Sequence, residues 1–168
     1  VLMGGAPTAA GADLAGLGGC WGGGAAAEPF GGDAAGDSSG VLRYVRVWHA
    51  RRGTALMGVG SGTSIEHVEV VSSATDGVVL HGGTAHVRRL SALEAGGAAF
   101  RTRAGFRGSA QFLFAMLGGT GRVGLSLSAE HVLESYGSTP PLAPRIFSLT
   151  VLGAGASGSA AAATGSLL

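Results

Sequence analysis

Short strand-like runs recur along the middle of the chain at a nearly constant spacing. Equivalent apolar positions in four successive runs are Val45, Val68, Leu90 and Phe112, which lie 23, 22 and 22 residues apart. A period of this length, held over four units, is typical of a solenoid, in which each repeat forms one turn and stacks on the next. A fifth run, at residues 146–151, follows only after a longer interval that contains three prolines. The spacing therefore predicts a repeat architecture with one irregular interval near its end.

Two kinds of solenoid have turns of this size, the leucine-rich repeat and the parallel β-helix. Leucine-rich repeats need a Leu-x-x-Leu-x-Leu frame with a ladder of Asn or Cys, whereas this chain has no Asn and a single Cys, Cys20. The 33 Gly residues supply turns, and each Gly inside a helix would cost about 1 kcal/mol. We therefore predict an all-β fold, a right-handed parallel β-helix of about 22–23 residues per rung and five to six rungs.

Stacking the four runs in this register predicts which side chains enter the core. The inward columns would hold Val45, Val68, Leu90 and Phe112, and Val47, Val70, Ala92 and Phe114; the outward column between them would hold Arg46, Glu69, Ser91 and Leu113. Arg46 and Glu69 then face each other on neighbouring strands, where an opposite-charge pair stabilises a sheet by about 0.2–1 kcal/mol. Leu113 makes the outward wall apolar at the fourth rung, which predicts either a contact with a partner or a lid formed by the residues that follow.

The same pattern divides the chain into three parts. We expect an irregular, Gly-rich segment at residues 1–40, the parallel β-helix at 41–155 with an excursion at about 119–143, and a flexible Ala/Gly/Ser tail at 156–168. Because the chain starts at Val1 and not at an initiator Met, we expect it to be a processed or excised piece. No apolar run approaches the roughly 20 residues of a membrane helix, so no membrane span is predicted.

Residues with the chemistry of a catalytic or metal site are sparse. Asp33 and Asp37 lie in one loop with Ser and Gly and are candidates for Ca²⁺ ligands. Asp76 lies in a turn and is a candidate metal ligand together with His67, His81 and His86, because imidazole and carboxylate suit Zn²⁺ or Cu²⁺. Asp and Ser also form turns by bonding their own backbone without a metal. Glycoside hydrolysis needs converging carboxylates, which the scattered acids of this chain do not provide. We therefore predict no catalytic residue and no cofactor, with Ca²⁺ as the alternative.

Several segments, taken in order over about residues 1–115, resemble a known group of proteins. They lie at residues 1–8, 30–33, 37–47, 58–70, 75–77 and 81–84, and include Phe30-Gly31-Gly32-Asp33 and Thr75-Asp76-Gly77. The group consists of secreted bacterial surface proteins and lipoproteins with right-handed parallel β-helices of the pectin-lyase-like type. The resemblance implies this fold and an extracellular or cell-surface location. Members usually carry paired Asp before the Gly, where this chain has Asp76 alone.

These observations favour a structural interpretation of the chain. We expect a non-enzymatic structural, adhesive or scaffold module of an extracellular or cell-surface protein or of a larger assembly. Since a solenoid exposes strand edges at both ends, protein neighbours or missing flanking segments are expected there. The alternative is a carbohydrate-active enzyme or a carbohydrate-binding β-helix, with a glycan as the ligand. No nucleic-acid partner is predicted, because the Arg residues are not regularly interleaved with exposed aromatic residues.

Overall fold

The computed structural model of the chain describes residues 1–8, 30–103, 105–118, 123–127 and 144–153. Within these ranges the ordered elements are ten β-strands. The strands are β1 (Leu2–Met3), β2 (Val41–Trp48), β3 (Thr54–Met57), β4 (Ser64–Val71), β5 (Val78–His81), β6 (His86–Leu93), β7 (Ala98–Arg103), β8 (Ser109–Met116), β9 (Val123–Leu127) and β10 (Arg145–Leu152). The described ranges contain no helix long and apolar enough to cross a membrane.

The strands form two parallel sheets that rise together along one axis. A short-strand sheet has the order β1-β3-β5-β7-β9, and a long-strand sheet has the order β2-β4-β6-β8-β10. Each turn of the chain adds one strand to each sheet, so the pairs from β2–β3 to β8–β9 make four complete turns. The prediction of an all-β parallel β-helix is confirmed. Five to six rungs was an overestimate, because the first 40 residues contribute only β1 to the sheets in the part that the structure describes.

The interior of the solenoid is built from columns of apolar side chains, one per strand. The hydrogen-bonded register aligns Val45 with Val68 and Val68 with Leu90, as the spacing predicted. Val68 and Leu90 are buried in the main core cluster. Each column buries apolar surface at every step, and this burial stabilises the stack by roughly 25 cal/mol per Å². Column formation therefore contributes to the stability of the stacked turns.

The register predicted for the fourth rung was wrong by one residue. Strand β8 places Leu113, and not Phe112, beside Leu90. Leu113 is 3% exposed and belongs to the core, whereas Phe112 is 47% exposed. A shift of one residue moves every side chain of a strand to the opposite face. Leu113 therefore lies inside the solenoid, and the exposed position that favoured a partner contact at Leu113 does not exist.

The volume of neighbouring aromatic residues explains this shift. Phe100 of β7 and Phe106 of the following turn are both buried and fill the interior near β8. The inward positions of β8 around Leu113 are occupied by the small side chains Ala110 and Ala115. Protein cores are packed as densely as organic crystals, so extra volume there causes strain. Two further inward aromatic rings would overfill the core at this level.

Each long strand bends at its fourth residue, where the backbone is left-handed. The φ angles are 56° at Tyr44, 54° at His67, 53° at Arg89, 58° at Phe112 and 55° at Ser148. The bend interrupts the alternation of inward and outward side chains, so the third and fourth residues both point away from the core. In every long strand these two residues are partly or fully exposed. The fourth residues form a column on the outside of the solenoid, here called the bend column. A second left-handed column follows the strands at His49, Ser72 and Glu94.

The other predicted segments are only partly described. Strand β1 pairs with β3, so the N-terminal segment joins the short-strand sheet. Phe30 packs on the outer face of that sheet against Ala55, Met57 and Val79. The expected excursion at 119–143 contains β9, a regular strand paired with β7. Cys20, the rest of the excursion and the tail at 156–168 lie outside the described residues.

Candidate functional site

A furrow follows the outside of the long-strand sheet along the solenoid axis. It lies between the bend column and the outward column two residues further along each strand, and its volume is about 620 Å³. Its lining consists of Tyr44, Arg46, His67, Val68, Glu69, Arg89, Ser91 and Phe112. The furrow exists because the left-handed bend directs the fourth residue outward while the sixth residue also faces outward, with an inward residue between them. One conformational feature, repeated in each rung, therefore produces the two walls.

The bend column forms the first wall, and its planar side chains stack in pairs. The rings of Tyr44 and His67 are nearly parallel, at 12°, with their centroids 4.7 Å apart. The guanidinium carbon of Arg89 lies 5.8 Å from the centroid of the Phe112 ring, within the range of a cation–π contact. Tyr44 remains 78% exposed. This wall therefore presents aromatic surface next to hydrogen-bond donors.

The second wall carries the ion pair that the sequence predicts. Arg46 Nε lies 3.2 Å from Glu69 Oε1, which confirms the expected pairing of these residues across neighbouring strands. The indole N–H of Trp48 also donates to Glu69 Oε1, at 3.4 Å. On the other side of the bend column, Arg89 Nη1 lies 3.8 Å from Glu66 Oε2. Each Arg of the furrow is thus held next to a carboxylate.

The chemistry of the furrow is mixed and suits a hydroxyl-rich ligand. Tyr44 and Phe112 provide apolar surface. The guanidinium groups donate hydrogen bonds, Glu69 accepts them, and the hydroxyl of Ser91 can do both. Among the described residues that line the furrow, Glu69 is the one carboxylate. The furrow therefore has the groups needed to bind a polar chain, without the pair of acids that acid–base cleavage of a glycosidic bond uses.

Asp76, a predicted candidate for a metal ligand, is hydrogen-bonded to other residues of the protein. It accepts hydrogen bonds from Arg101 Nε at 2.6 Å, from Arg101 Nη2 at 2.9 Å and from the backbone N–H of Ala98 at 2.8 Å. Burial alone would raise the pKa of Asp76. The hydrogen bonds from Arg101 and Ala98, with the charges of Arg101 and Arg103, outweigh burial and hold the pKa below its ordinary value of 3.8. The carboxylate is therefore a charged clamp between two rungs and not a proton donor.

The two other metal candidates are placed in the N-terminal loop. Asp37 Oδ2 accepts hydrogen bonds from the backbone N–H of Gly5 and from the Ser39 hydroxyl, both at 3.1 Å. Asp33 is exposed. In the described ranges, no group of three or more His, Cys, Asp or Glu side chains is placed to hold a metal ion. Asp37 joins its loop to Gly5, which lies two residues after β1.

The histidines are dispersed over different environments. His67 stacks on Tyr44 in the furrow, whereas His81 is buried with its ring edge-on to Phe30, at a centroid distance of 5.4 Å. His86 Nδ1 lies 2.8 Å from the hydroxyl of Ser109 on the neighbouring long strand. Among the histidines in the described ranges, only His67 lines the furrow.

Sequence reasoning missed most of the furrow wall, although a signal was present. Tyr44, His67, Arg89 and Phe112 follow one another at spacings of 23, 22 and 23 residues, the period of the repeat itself. All four side chains end in a planar group. A spacing of 22 residues after Leu90 assigned Phe112 to the core, whereas the structure aligns Leu90 with Leu113, 23 residues on. Planar side chains that recur at the repeat period are therefore the sequence signal of the bend column.

Comparison with known proteins gives one match. The family described as a pectate-lyase-like β-helix domain matches residues 1–164. No curated protein and no solved structure gives a significant match to the chain. The family match agrees with the two parallel sheets and with the stacked columns described above. Because the match extends over almost the whole of the 168-residue sequence, the chain belongs to the family of pectate-lyase-like β-helix domains.

Proposed function

We propose that this chain is a non-catalytic, glycan-binding adhesive module of an extracellular or cell-surface protein. The observation that supports this proposal is the ladder of planar side chains along an open furrow, with Tyr44 on His67 and Arg89 on Phe112. Neighbouring strands of a sheet lie about 4.8 Å apart, so the ladder repeats at this interval. A polymer laid along the axis therefore meets one planar group at each of four successive rungs.

A glycan fits the chemistry of this surface better than an apolar ligand does. A sugar ring carries C–H groups on its faces and hydroxyls around its rim, so it needs aromatic surface together with both donors and acceptors. Tyr44 and Phe112 supply the aromatic surface, and Glu69 and Ser91 supply acceptors close to the Arg donors. Binding sites of this kind combine apolar contact with a few polar groups that orient the ligand.

The arrangement of acids favours binding over cleavage. Retaining and inverting glycosidases both use two carboxyl groups on either side of the scissile bond. Glu69 is the one carboxylate among the described residues of the furrow, and it is already paired with Arg46. Asp76 is held as an anion by Arg101 and does not supply a proton. These contacts support an adhesive function for the furrow.

The proposal is tested by measuring binding of the purified chain to immobilised neutral and acidic polysaccharides. We expect at least one polysaccharide to bind, and we expect Tyr44→Ala with Phe112→Ala to weaken that binding by about tenfold or more, which corresponds to roughly 1.4 kcal/mol. Phe147→Ala is the matched control, because Phe147 is an exposed aromatic residue of β10 that does not line the furrow. Thermal melting of each variant reports whether its fold is retained.

Three results would contradict the proposal. The first is the absence of binding to any polysaccharide in the panel. The second is an equal loss of binding in the Phe147→Ala control. The third is release of shortened or unsaturated sugar chains during incubation, which would identify the chain as a carbohydrate-active enzyme.

A further inference from the structure

The charge on the outer face of the long-strand sheet changes from one strand to the next. The charged residues at outward positions of the long strands are Arg43 and Arg46 on β2, Glu66 and Glu69 on β4, Arg88 and Arg89 on β6, and Arg145 on β10. Strand β8 carries no charged residue. Because β4 lies between β2 and β6, and β8 between β6 and β10, positive charge recurs at every second strand.

Ion pairs between neighbouring strands use only part of this positive charge. Arg46 Nε lies 3.2 Å from Glu69 Oε1, and Arg89 Nη1 lies 3.8 Å from Glu66 Oε2. Each Glu of β4 thus offsets one Arg of an adjacent strand. The face as a whole stays net positive, since the Arg residues outnumber the Glu residues.

The remaining Arg residues lie on β2, β6 and β10, the alternate strands. Arg43 donates to the neutral hydroxyl of Ser64, at 2.8 and 3.1 Å. Arg43, Arg88 and Arg145 are exposed, and within the described ranges none of the three lies within ion-pair distance of a carboxylate. Each of these three strands therefore presents one guanidinium group that is available to an anionic ligand.

The spacing of these groups follows from the register of the sheet. Arg43, Glu66 and Arg88 are aligned as the third residues of β2, β4 and β6, beside the bend column that forms one wall of the furrow. Neighbouring strands are about 4.8 Å apart, so Arg43 and Arg88 are separated by about 9.6 Å with a carboxylate between them. Arg145 continues the alternation on β10, at the first position of that strand.

A glycan chain along the furrow would meet this alternation sugar by sugar. One residue of an extended glycan is about as long as the spacing of strands in a sheet, so a disaccharide spans about two strands. An acidic group on every second sugar would lie next to Arg43 and then Arg88, with the intervening sugar over β4. An acidic group on every sugar would also place negative charge next to Glu66 and Glu69, where like charges repel.

We propose that the outer face of the long-strand sheet binds a glycan with one acidic group per disaccharide, and that Arg43 and Arg88 contact successive acidic groups. This inference rests on the proposed glycan-binding function and adds the class of glycan. Guanidinium groups suit this role, because they stay charged at all physiological pH values and bind carboxylates through two parallel hydrogen bonds.

The test uses one polysaccharide backbone with three levels of charge. Unsulfated chondroitin carries a carboxylate on every second sugar, its carboxyl-reduced form is neutral, and its sulfated form adds a charge on the intervening sugar. We expect the unsulfated form to bind at least about tenfold more tightly than the neutral form, and about 0.5 M NaCl to weaken this preference by screening. The sulfated form should bind no more tightly than the unsulfated form, although it carries more charge.

The variant Arg88→Gln tests the contact directly. It removes an exposed charge and should weaken binding of unsulfated chondroitin about tenfold, while binding of the neutral form stays the same. Arg51→Gln is the matched control, because Arg51 is also exposed but lies in the connection between β2 and β3. An equal loss in Arg51→Gln would mean that overall charge determines binding, and would overturn the inference. Thermal melting checks that both variants keep the fold.

The remaining outcomes separate this inference from the function on which it rests. Affinity that rises steadily with charge, from the neutral to the sulfated form, would indicate attraction to any polyanion and overturn the alternation. Tightest binding of the neutral form would overturn the acidic ligand. If another polysaccharide binds but no form of chondroitin does, the inference fails and glycan binding stands. Absence of binding to every polysaccharide overturns both.

Discussion

Asp76 connects two rungs at the corner between β4 and β5. Its two oxygens bind the guanidinium of Arg101 on β7 in a bidentate contact, and Arg101 Nη1 continues to the Ser126 hydroxyl on β9 at 3.3 Å. Bidentate Arg–carboxylate pairs are among the stronger side-chain hydrogen bonds, because both partners are charged and planar. A chain of contacts from this corner to β7 and β9 therefore depends on one carboxylate.

The lowered pKa of Asp76 makes stability depend on pH in a defined direction. A carboxylate with a folded pKa below its unfolded value stabilises the fold above the unfolded pKa, and this contribution is lost as the pH falls through the folded pKa. The unfolded value is close to 3.8. We therefore expect Asp76→Asn to lower the free energy of unfolding by about 1–3 kcal/mol at pH 7. The difference from the unmodified chain should shrink below about pH 4.

Urea unfolding followed by circular dichroism at neutral and acidic pH measures this difference. Asp33→Asn is the control, because Asp33 is exposed and its substitution should change stability little at any pH. An Asp76→Asn variant whose destabilisation does not depend on pH would contradict the assignment of a charged clamp at this corner.

At the scale of the strand, the bend at the fourth residue determines which surface is available for binding. Left-handed backbone costs an L-residue roughly 1–2 kcal/mol relative to ordinary conformations. The column nevertheless holds Tyr44, His67, Arg89, Phe112 and Ser148. Stacking between neighbouring planar side chains offsets part of this cost. The same conformation that strains the strand also aligns the wall of the furrow.

The register of β8 is tested by two substitutions at adjacent positions. Leu113→Ala should destabilise the chain by about 2–5 kcal/mol, because it leaves a cavity in the core. Phe112→Ala, at the neighbouring exposed position, should cost less than about 1 kcal/mol, since it removes mainly a surface contact with Arg89. Thermal and urea melts of the two variants give the comparison. If Phe112→Ala proves to be the more destabilising substitution, Phe112 is the inward residue and the register described here for β8 is incorrect.

At the scale of the whole molecule, each turn is stabilised mainly by the turns on either side of it. Strand β6 lies between β4 and β8, whereas β2 and β10 each have one strand neighbour among the described residues. Tyr44 and Trp48 of β2 and Phe147 of β10 are exposed, outward-facing side chains on these two strands. We continue to predict protein neighbours or flanking segments at these two edges, because unpaired strand edges with apolar side chains favour further pairing.

Native-state hydrogen exchange of the isolated chain should show that amide protection decreases from the central turn towards both ends of the solenoid. Solenoid stability is approximately a sum of the stability of each repeat and of its interfaces, so opening from the ends costs less than opening at the centre. We expect the slowest amide exchange in β6 and faster exchange in β2 and β10. Equal protection in all five long strands would mean that the solenoid opens only as a single unit.

The repeat period and the apolar columns of the first three rungs could be predicted from the sequence, because each depends on local alternation and on spacing. Val45, Val68 and Leu90 align as predicted, and the Arg46–Glu69 pair follows from the same register. These features can be read from the repeat itself, since each strand contacts the equivalent strand of the next turn.

The tertiary structure alone decided which side chain of β8 fills the core and which residues meet at the corners between strands. Whether Phe112 or Leu113 enters the core depends on the space that Phe100 and Phe106 leave, and both of these lie on other segments. The partner of Asp76 is Arg101, 25 residues away, and the two meet because the corner of one turn lies beside a strand of the next. Neither alternation nor spacing contains this information, because packing volume and the path of the corners are properties of the assembled solenoid.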